Sequence, residues 1–310
     1  MSAPMHHRQP PANGRTVHMD PAVAGPLFMM SAALLFTVLN LLIKLLDPAF
    51  SVWHIGFFRF AGGVVMLHLF FGRRRNLYSG VNIRLLIIRG CTGSIAFISL
   101  VTAIRLLPVS TAMVIFYAFP AFAAVFSFLL YGERIGRMEI ACIICVIAGI
   151  AVLFNFQPGG DLFGQIMALT GAIFAGLTVT LIRTLREKNG PVVIYLYFCT
   201  MGTLVTLPMF AARPLFASSP VEWGMIIGII FTSIFAQLLM NQGFFYCRGW
   251  EGGLFMSGEV VFTALAGIAL LGDPASAHFW IGSLLVVGSV IAMNRWRAAG
   301  KKAQGIRHKV

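Results

Sequence analysis

Ionised side chains buried in long apolar runs are the residues of this sequence best placed to do chemistry. Glu259 lies about a third of the way along the run 253–271, Arg59 within Phe57-Phe58-Arg59-Phe60, and Arg89 within Ile88-Arg89-Gly90. An unpaired ion in hydrocarbon costs at least roughly 2.5–3.5 kcal/mol, so each needs a partner or a task. The Glu259 carboxyl suits a proton carrier or a counter-charge for a cationic group; the plainer alternative is a structural pair with an arginine. Arg59 and Arg89 stay charged and must each reach a carboxylate, carbonyls, water or headgroups. Either could clamp a substrate carboxylate, or could serve helix packing and gating.

Uncharged polar residues at helical spacing could complete a cavity. Gln237, Asn241 and Gln242 cluster in the run 222–246, and positions 237 and 241 share a helix face. Asn40 and Thr37, Ser94 and Ser99, Tyr117 and Thr178 could join them, although single hydroxyls commonly bond their own helix. Phe116, Phe119 and Phe255 could face an organic ligand. Pro120 removes a backbone bond inside the fourth run, which predicts a kink that frames the site or gates it. No catalytic set stands out. Cys142-x-x-Cys145 sits in an apolar run without a second ligand pair, and neither an HExxH nor a P-loop is present, so no metal and no cofactor are expected.

The elements that must hold these residues follow from composition. Hydrophobic residues make up 58% of the 310 and charged residues 11%, where a soluble chain carries roughly a quarter charged. That excludes a soluble enzyme, a nucleic-acid binder and a disordered scaffold. Ten apolar runs, at 22–46, 52–71, 83–104, 110–131, 138–155, 162–184, 192–212, 222–246, 253–271 and 277–296, predict ten membrane helices. Residues 1–21 form a polar tail without a signal-peptide core, and 297–310 a basic one. Five tryptophans fall near run ends, as an aromatic belt predicts. Gly171/Ala175, Ala172/Gly176, Gly224/Gly228 and Gly288/Ala292 have the small-xxx-small spacing of close helix contacts.

The excess of 23 Lys and Arg over 10 Asp and Glu is explained by orientation. With the N-terminus inside, eighteen of these cations fall in inner segments, two (Arg105 and Arg213) in outer loops and three within runs or at their ends. Such a split predicts both termini in the cytoplasm and contact with anionic lipid, with no need for nucleic acid.

The chain also repeats itself. A shift of 139 lays 25–46 on 164–185, bringing Lys44 onto Arg183, and one of 140 lays Phe58, Gly62, Leu67 and Phe70 on Phe198, Gly202, Leu207 and Phe210. The shift of 140 also lays Gly132-Glu133 on Gly272-Asp273, and 139 lays Gly149 and Asn155 on Gly288 and Asn294. Five runs per copy is an odd number, so the second copy, 162–296, should enter the membrane inverted relative to the first, 22–155. Inverted repeats around a midplane site are an architecture of secondary transporters.

With these pieces in view, the chain resembles the drug/metabolite transporter superfamily, of the ten-span EamA type. The resemblance rests on Phe57-Phe58-Arg59-Phe60, Ile88-Arg89-Gly90, and Pro108-Val109-Ser110-Thr111-Ala112 through Phe119-Pro120 to Gly132-Glu133-Arg134. The first two pieces look most like the branch that includes S-adenosylmethionine uptake carriers. The second copy departs from the pattern, with Glu259 near where a proline would be expected. The resemblance implies alternating access around a central cavity, with amino acids, nucleosides, drugs or cofactors as cargo.

The expectation is an all-α inner-membrane secondary transporter exporting an amino acid or related amphipathic metabolite, as a monomer or homodimer, with substrate and bilayer as its partners. Uptake of a cationic cofactor such as S-adenosylmethionine is the alternative. An intramembrane enzyme or a sensor is the rival from another class.

Overall fold

A computed structural model describes residues 21–72, 76–107, 109–133, 135–153, 161–271 and 276–307. The first half consists of α1 (Pro21–Leu45), α2 (Val52–Phe71), α3 (Ile83–Leu106), α4 (Val109–Phe116), α5 (Phe119–Tyr131) and α6 (Arg137–Leu153). The second consists of α7 (Leu162–Arg186), α8 (Pro191–Ala212), α9 (Pro220–Gly243), α10 (Gly249–Met256), α11 (Gly258–Leu271) and α12 (Ala277–Arg307). All are helices, because hydrocarbon leaves backbone groups no partner outside their own segment. Polar side chains start some of them: Asp161 accepts from the Gly164 N–H ahead of α7, and Ser219 from that of Glu222 ahead of α9.

Among the described residues, eight helical stretches are long and apolar enough to cross a membrane. The sequence predicted ten. Within the described residues the other two are shorter: α6 covers Arg137–Leu153, 17 residues, and the apolar part of α12 is Trp280–Met293. These two pack along each other, with Gly149 against Leu285. The helix of α12 runs on to Arg307, through much of the segment read as a tail. Residues 1–20, Arg73–Arg75, Pro108, Arg134, Asn155, Pro158–Gly160 and Gly272–Pro274 lie outside the described residues, and with them part of the repeat correspondence.

Large apolar side chains are found outside as well as inside; Leu284 is 74% exposed and Leu270 72%. The interior holds two main apolar clusters, one around Met29, Tyr117, Phe119, Trp250 and Phe255, the other around Phe60, Tyr195, Phe198 and Ile229. α1 runs antiparallel to α9, with Met29 beside Gly243 and Leu42 beside Gly228. α3 runs antiparallel to α7, with Leu107 beside Gly164 and Thr92 bonded to Thr178 at 2.9 Å. α2 and α8 are also antiparallel, Gly56 facing Thr206 and Gly63 facing Cys199.

Two of the crossing stretches are interrupted. A turn interrupts the regular helix at Tyr117–Ala118, between α4 and α5, and at Ser257, between α10 and α11, while Ala118 and Ser257 keep right-handed backbone dihedrals. Pro120 is the cause of the first, since it has no N–H to give the Phe116 carbonyl. The predicted kink is thus a short turn within the span, across which the Tyr117 N–H still reaches the Met113 carbonyl. Ser257 causes the second without a proline: its N–H is shared between the Gly253 and Leu254 carbonyls, and its hydroxyl turns back to Gly253.

Some small-residue pairs also differ from expectation. Gly171 and Gly176 do pack closely, against Phe116 and Phe122, but a Cβ on Gly224 or Gly288 would meet nothing within 4 Å. Gly288 instead lines an open groove shared with Cys142 and Cys145 of α6. Trp250 is no belt residue either; it is 1% exposed, on the fully buried α10.

Candidate functional site

Between the two apolar clusters lies a cavity of about 150 Å³. Phe36, Phe97, Leu100, Phe116, Phe119, Met240 and Met256 give it apolar walls, and Arg59, Arg89, Tyr117, Thr178, Gln237 and Glu259 are its polar groups. The helix breaks explain how a carboxylate comes to stand here. Glu259 falls in the first turn of α11, where the helix macrodipole favours negative charge, and the break at Ser257 is what creates that helix end.

Glu259 is 8% exposed. Its Oε1 accepts a 2.7 Å hydrogen bond from Asn40 Nδ2 on α1, and Tyr117, at the other break, lines the same cavity. Thr37 on α1 donates to the Glu259 backbone carbonyl at 3.3 Å.

Arg59, on α2, is 3% exposed and donates from Nε to Ser233 Oγ at 2.7 Å. Tyr195 shares that serine at 3.2 Å. The Arg59 guanidinium lies over Phe97 at 4.2 Å, an aromatic face that offsets part of its lost hydration. No hydrogen bond from its Nη1 or Nη2 occurs among the described residues.

Arg89, on α3, is 1% exposed and lies over Phe198 at 4.3 Å. Its Nη2 donates to Gln237 Oε1 at 3.2 Å, while its Nε and Nη1 are buried without a partner. Buried donors left empty are rare, because each forfeits its hydration without return. Neither arginine has a carboxylate within salt-bridge distance; among the described residues the ion pair present is Arg183 with Glu133. Arg183, near the C-terminal end of α7, is thus held by Glu133, just past the end of α5.

The cavity thus gathers Arg59, Arg89, Gln237, Glu259, Tyr117 and Phe116 from the sequence-derived set, with Asn40 behind Glu259 and Pro120 at the break beside it. Asn241 and Ser94 are not part of it. Asn241 is one turn beyond Gln237, in the seam where the Arg186 guanidinium bonds the Asn241 carbonyl at 2.9 Å, the Asn189 carbonyl at 2.6 Å and Gln242 Oε1 at 2.7 Å. Ser94 returns its hydroxyl to the Gly90 carbonyl at 2.8 Å. The sequence reasoning did not single out Ser233, Tyr195, Phe97, Phe198 or Arg186. Ser233 had a signal, four residues before Gln237 on one helix face; the two phenylalanines had none among twenty-eight.

The profile of the EamA-like transporter family matches this chain twice, at residues 23–155 and 162–295. The pseudopaline exporter CntI of two Pseudomonas aeruginosa strains is 25% identical over 278 residues, covering 89% of this chain and 98% of the exporter. The uncharacterized membrane protein YMR253C of Saccharomyces cerevisiae is 19% identical over 243 residues, 70% of this chain and 58% of that one. A solved crystal structure superimposes with a TM-score of 0.71 at 19% identity, over 87% of this chain and 96% of its own, which shows a shared fold. The chain belongs to the EamA-like transporter family, within the drug/metabolite transporter superfamily: it is a multi-pass membrane transporter and not an enzyme.

Proposed function

We propose that this transporter exports a small amphipathic metabolite of amino-acid character across the cytoplasmic membrane by alternating access, with the central cavity as its binding site. The observation that carries this reading is the pair of empty buried donors on Arg89. A substrate carboxylate would fill them, Glu259 would face the substrate ammonium or exchange a proton with it, and Phe36, Phe116, Met240 and Met256 would take the apolar part. The exporter activity named for the Pseudomonas aeruginosa relatives favours outward movement.

The packing supports two five-span repeats of opposite orientation, at 22–155 and 162–296, with α6 and α12 as their fifth spans. Exchanging the halves maps the α1–α9 contact onto the α7–α3 contact, and maps α2–α8 and α6–α12 onto themselves. It also maps one broken span onto the other. Such pseudo-symmetric halves can trade conformations, opening the cavity first inward and then outward. The breaks beside Pro120 and Ser257 are natural hinges for that motion. The positive-inside distribution supports cytoplasmic termini, with the basic residues after 296 near anionic lipid.

The test is efflux from liposomes containing the purified protein and loaded with labelled amino acids. Efflux that exceeds empty liposomes and collapses in Arg89→Gln supports the proposal. Efflux unaltered by that substitution overturns it.

A further inference from the structure

Resting on that transport proposal, we infer that the substrate carries two acid groups and one ammonium, and so enters the cavity with net negative charge rather than as a neutral zwitterion. The inference starts from the ions lining the cavity. Two guanidinium groups, Arg59 and Arg89, stand against one carboxylate, Glu259, and the cavity's other polar groups, Tyr117, Thr178 and Gln237, are uncharged when protonated as usual. Arginine does not give up its proton here, so a positive excess persists whether Glu259 is ionised or protonated. Such an excess at this depth calls for a compensating anion.

The two arginines present their charge as separate recognition points. Ser233 occupies only the Nε of Arg59, leaving the terminal fork, which matches the two oxygens of one carboxylate. Gln237 occupies only Nη2 of Arg89, leaving Nε and Nη1. Both guanidiniums approach the ring of Phe198, at 5.9 and 4.3 Å from its centroid, close enough to serve two acid groups of one small molecule. A neutral amino acid would engage one of them and leave the other buried and uncompensated. A diacid engages both. Its ammonium then faces Glu259, whose orientation is held by Asn40.

The experiment measures half-saturating concentrations by ligand-induced thermal stabilisation of the purified full chain. The probes are diacids paired with their own monoamides: glutamate with glutamine, and N-carboxymethyl-phenylalanine with its monoamide. Each pair is nearly isosteric and differs by one negative charge. The expected result is at least tenfold tighter binding of the diacid in one or both pairs. Arg59→Gln should erase that ratio, and Arg59→Lys, which keeps the charge without the fork, should retain part of it. Monoamides binding as well as diacids, or better, would overturn the inference and leave amino-acid export standing. Failure of every probe to bind would overturn the inference and the amino-acid reading together.

Discussion

Asn40 on α1 donates a 2.7 Å hydrogen bond to Glu259 on α11, so the first helix of one repeat holds the carboxylate of the other. With the shift of 139, Glu259 is the counterpart of Pro120. One repeat interrupts its helix with a proline; the other places an acid two residues past its interruption. The cavity is therefore chemically lopsided although its scaffold is built from two like halves.

That asymmetry makes Glu259 the residue through which protons would act. Tyr117, Arg59 and Arg89 are the other ionisable groups lining the cavity, and none of them offers an easily exchanged proton. Glu259→Gln keeps the Asn40 contact through its amide oxygen. It should flatten the dependence of transport on pH while the protein remains folded. Transport by Glu259→Gln that follows pH as the parent does would end the proton-carrier role.

Gln237 positions Arg89 without needing to bear charge. Gln237→Ala removes the side-chain acceptor that holds that guanidinium among the described residues, a bond to a charged group worth about 1.5–3 kcal/mol. Apparent KM should rise at least about tenfold, with a smaller change in maximal rate. The initial rates of efflux over a range of internal concentrations check this.

Tight and open glycines should respond oppositely. A Cβ on Gly202 would lie 2.5 Å from the Phe60 ring, itself packed edge-to-face on Phe198. Gly202→Ala should destabilise by about 1–3 kcal/mol and disturb the ring beneath both arginines. Gly224→Ala, with open space around it, should be neutral or stabilising by up to about 1 kcal/mol. Thermal unfolding of the two variants side by side gives the comparison.

Arg186 ties three segments into one seam, bonding the end of α9 and the turn after α7. Asn189 extends that seam by exchanging hydrogen bonds with the Val81 backbone at 2.7 and 3.0 Å. Arg186→Ala should cost about 2–3 kcal/mol, since it strands buried acceptors of a charged donor. A melting temperature unchanged from the parent would show that the seam is dispensable.

Orientation is open to direct labelling. Ser79 precedes α3 and Ser218 precedes α9, on opposite faces in the proposed topology. In a background without native cysteines, Ser79→Cys should react with an impermeant thiol reagent only from the cytoplasmic side, and Ser218→Cys only from outside. Reaction of both from one side would rule out the inverted arrangement.

The sequence carried the identity of the cavity's charged groups well, because Arg59, Arg89 and Glu259 interrupt apolar runs where ions are expensive. It carried their meeting point poorly. Arg59 and Arg89 each lie about a third of the way along their own runs, but successive runs point in opposite directions, and the packing of α2, α3, α8 and α9 is what brings both to Phe198. Asn241 illustrates the limit of spacing: four residues from Gln237 fixes a shared face, yet the partner on that face changes from cavity to Arg186 within one turn. The break at Ser257 was invisible for a different reason. No proline marks it, and a serine with flexible neighbours is compatible with an unbroken helix.

The pairing of α6 and α12 has a further consequence. Each leaves large apolar side chains uncovered, with Ile144 on α6 60% and Leu284 on α12 74% exposed. A face of that kind needs acyl chains against it. Stripping lipid and detergent from the purified protein should therefore make copies stick to one another along this flank, so colloidal behaviour outside the bilayer is set by its covering.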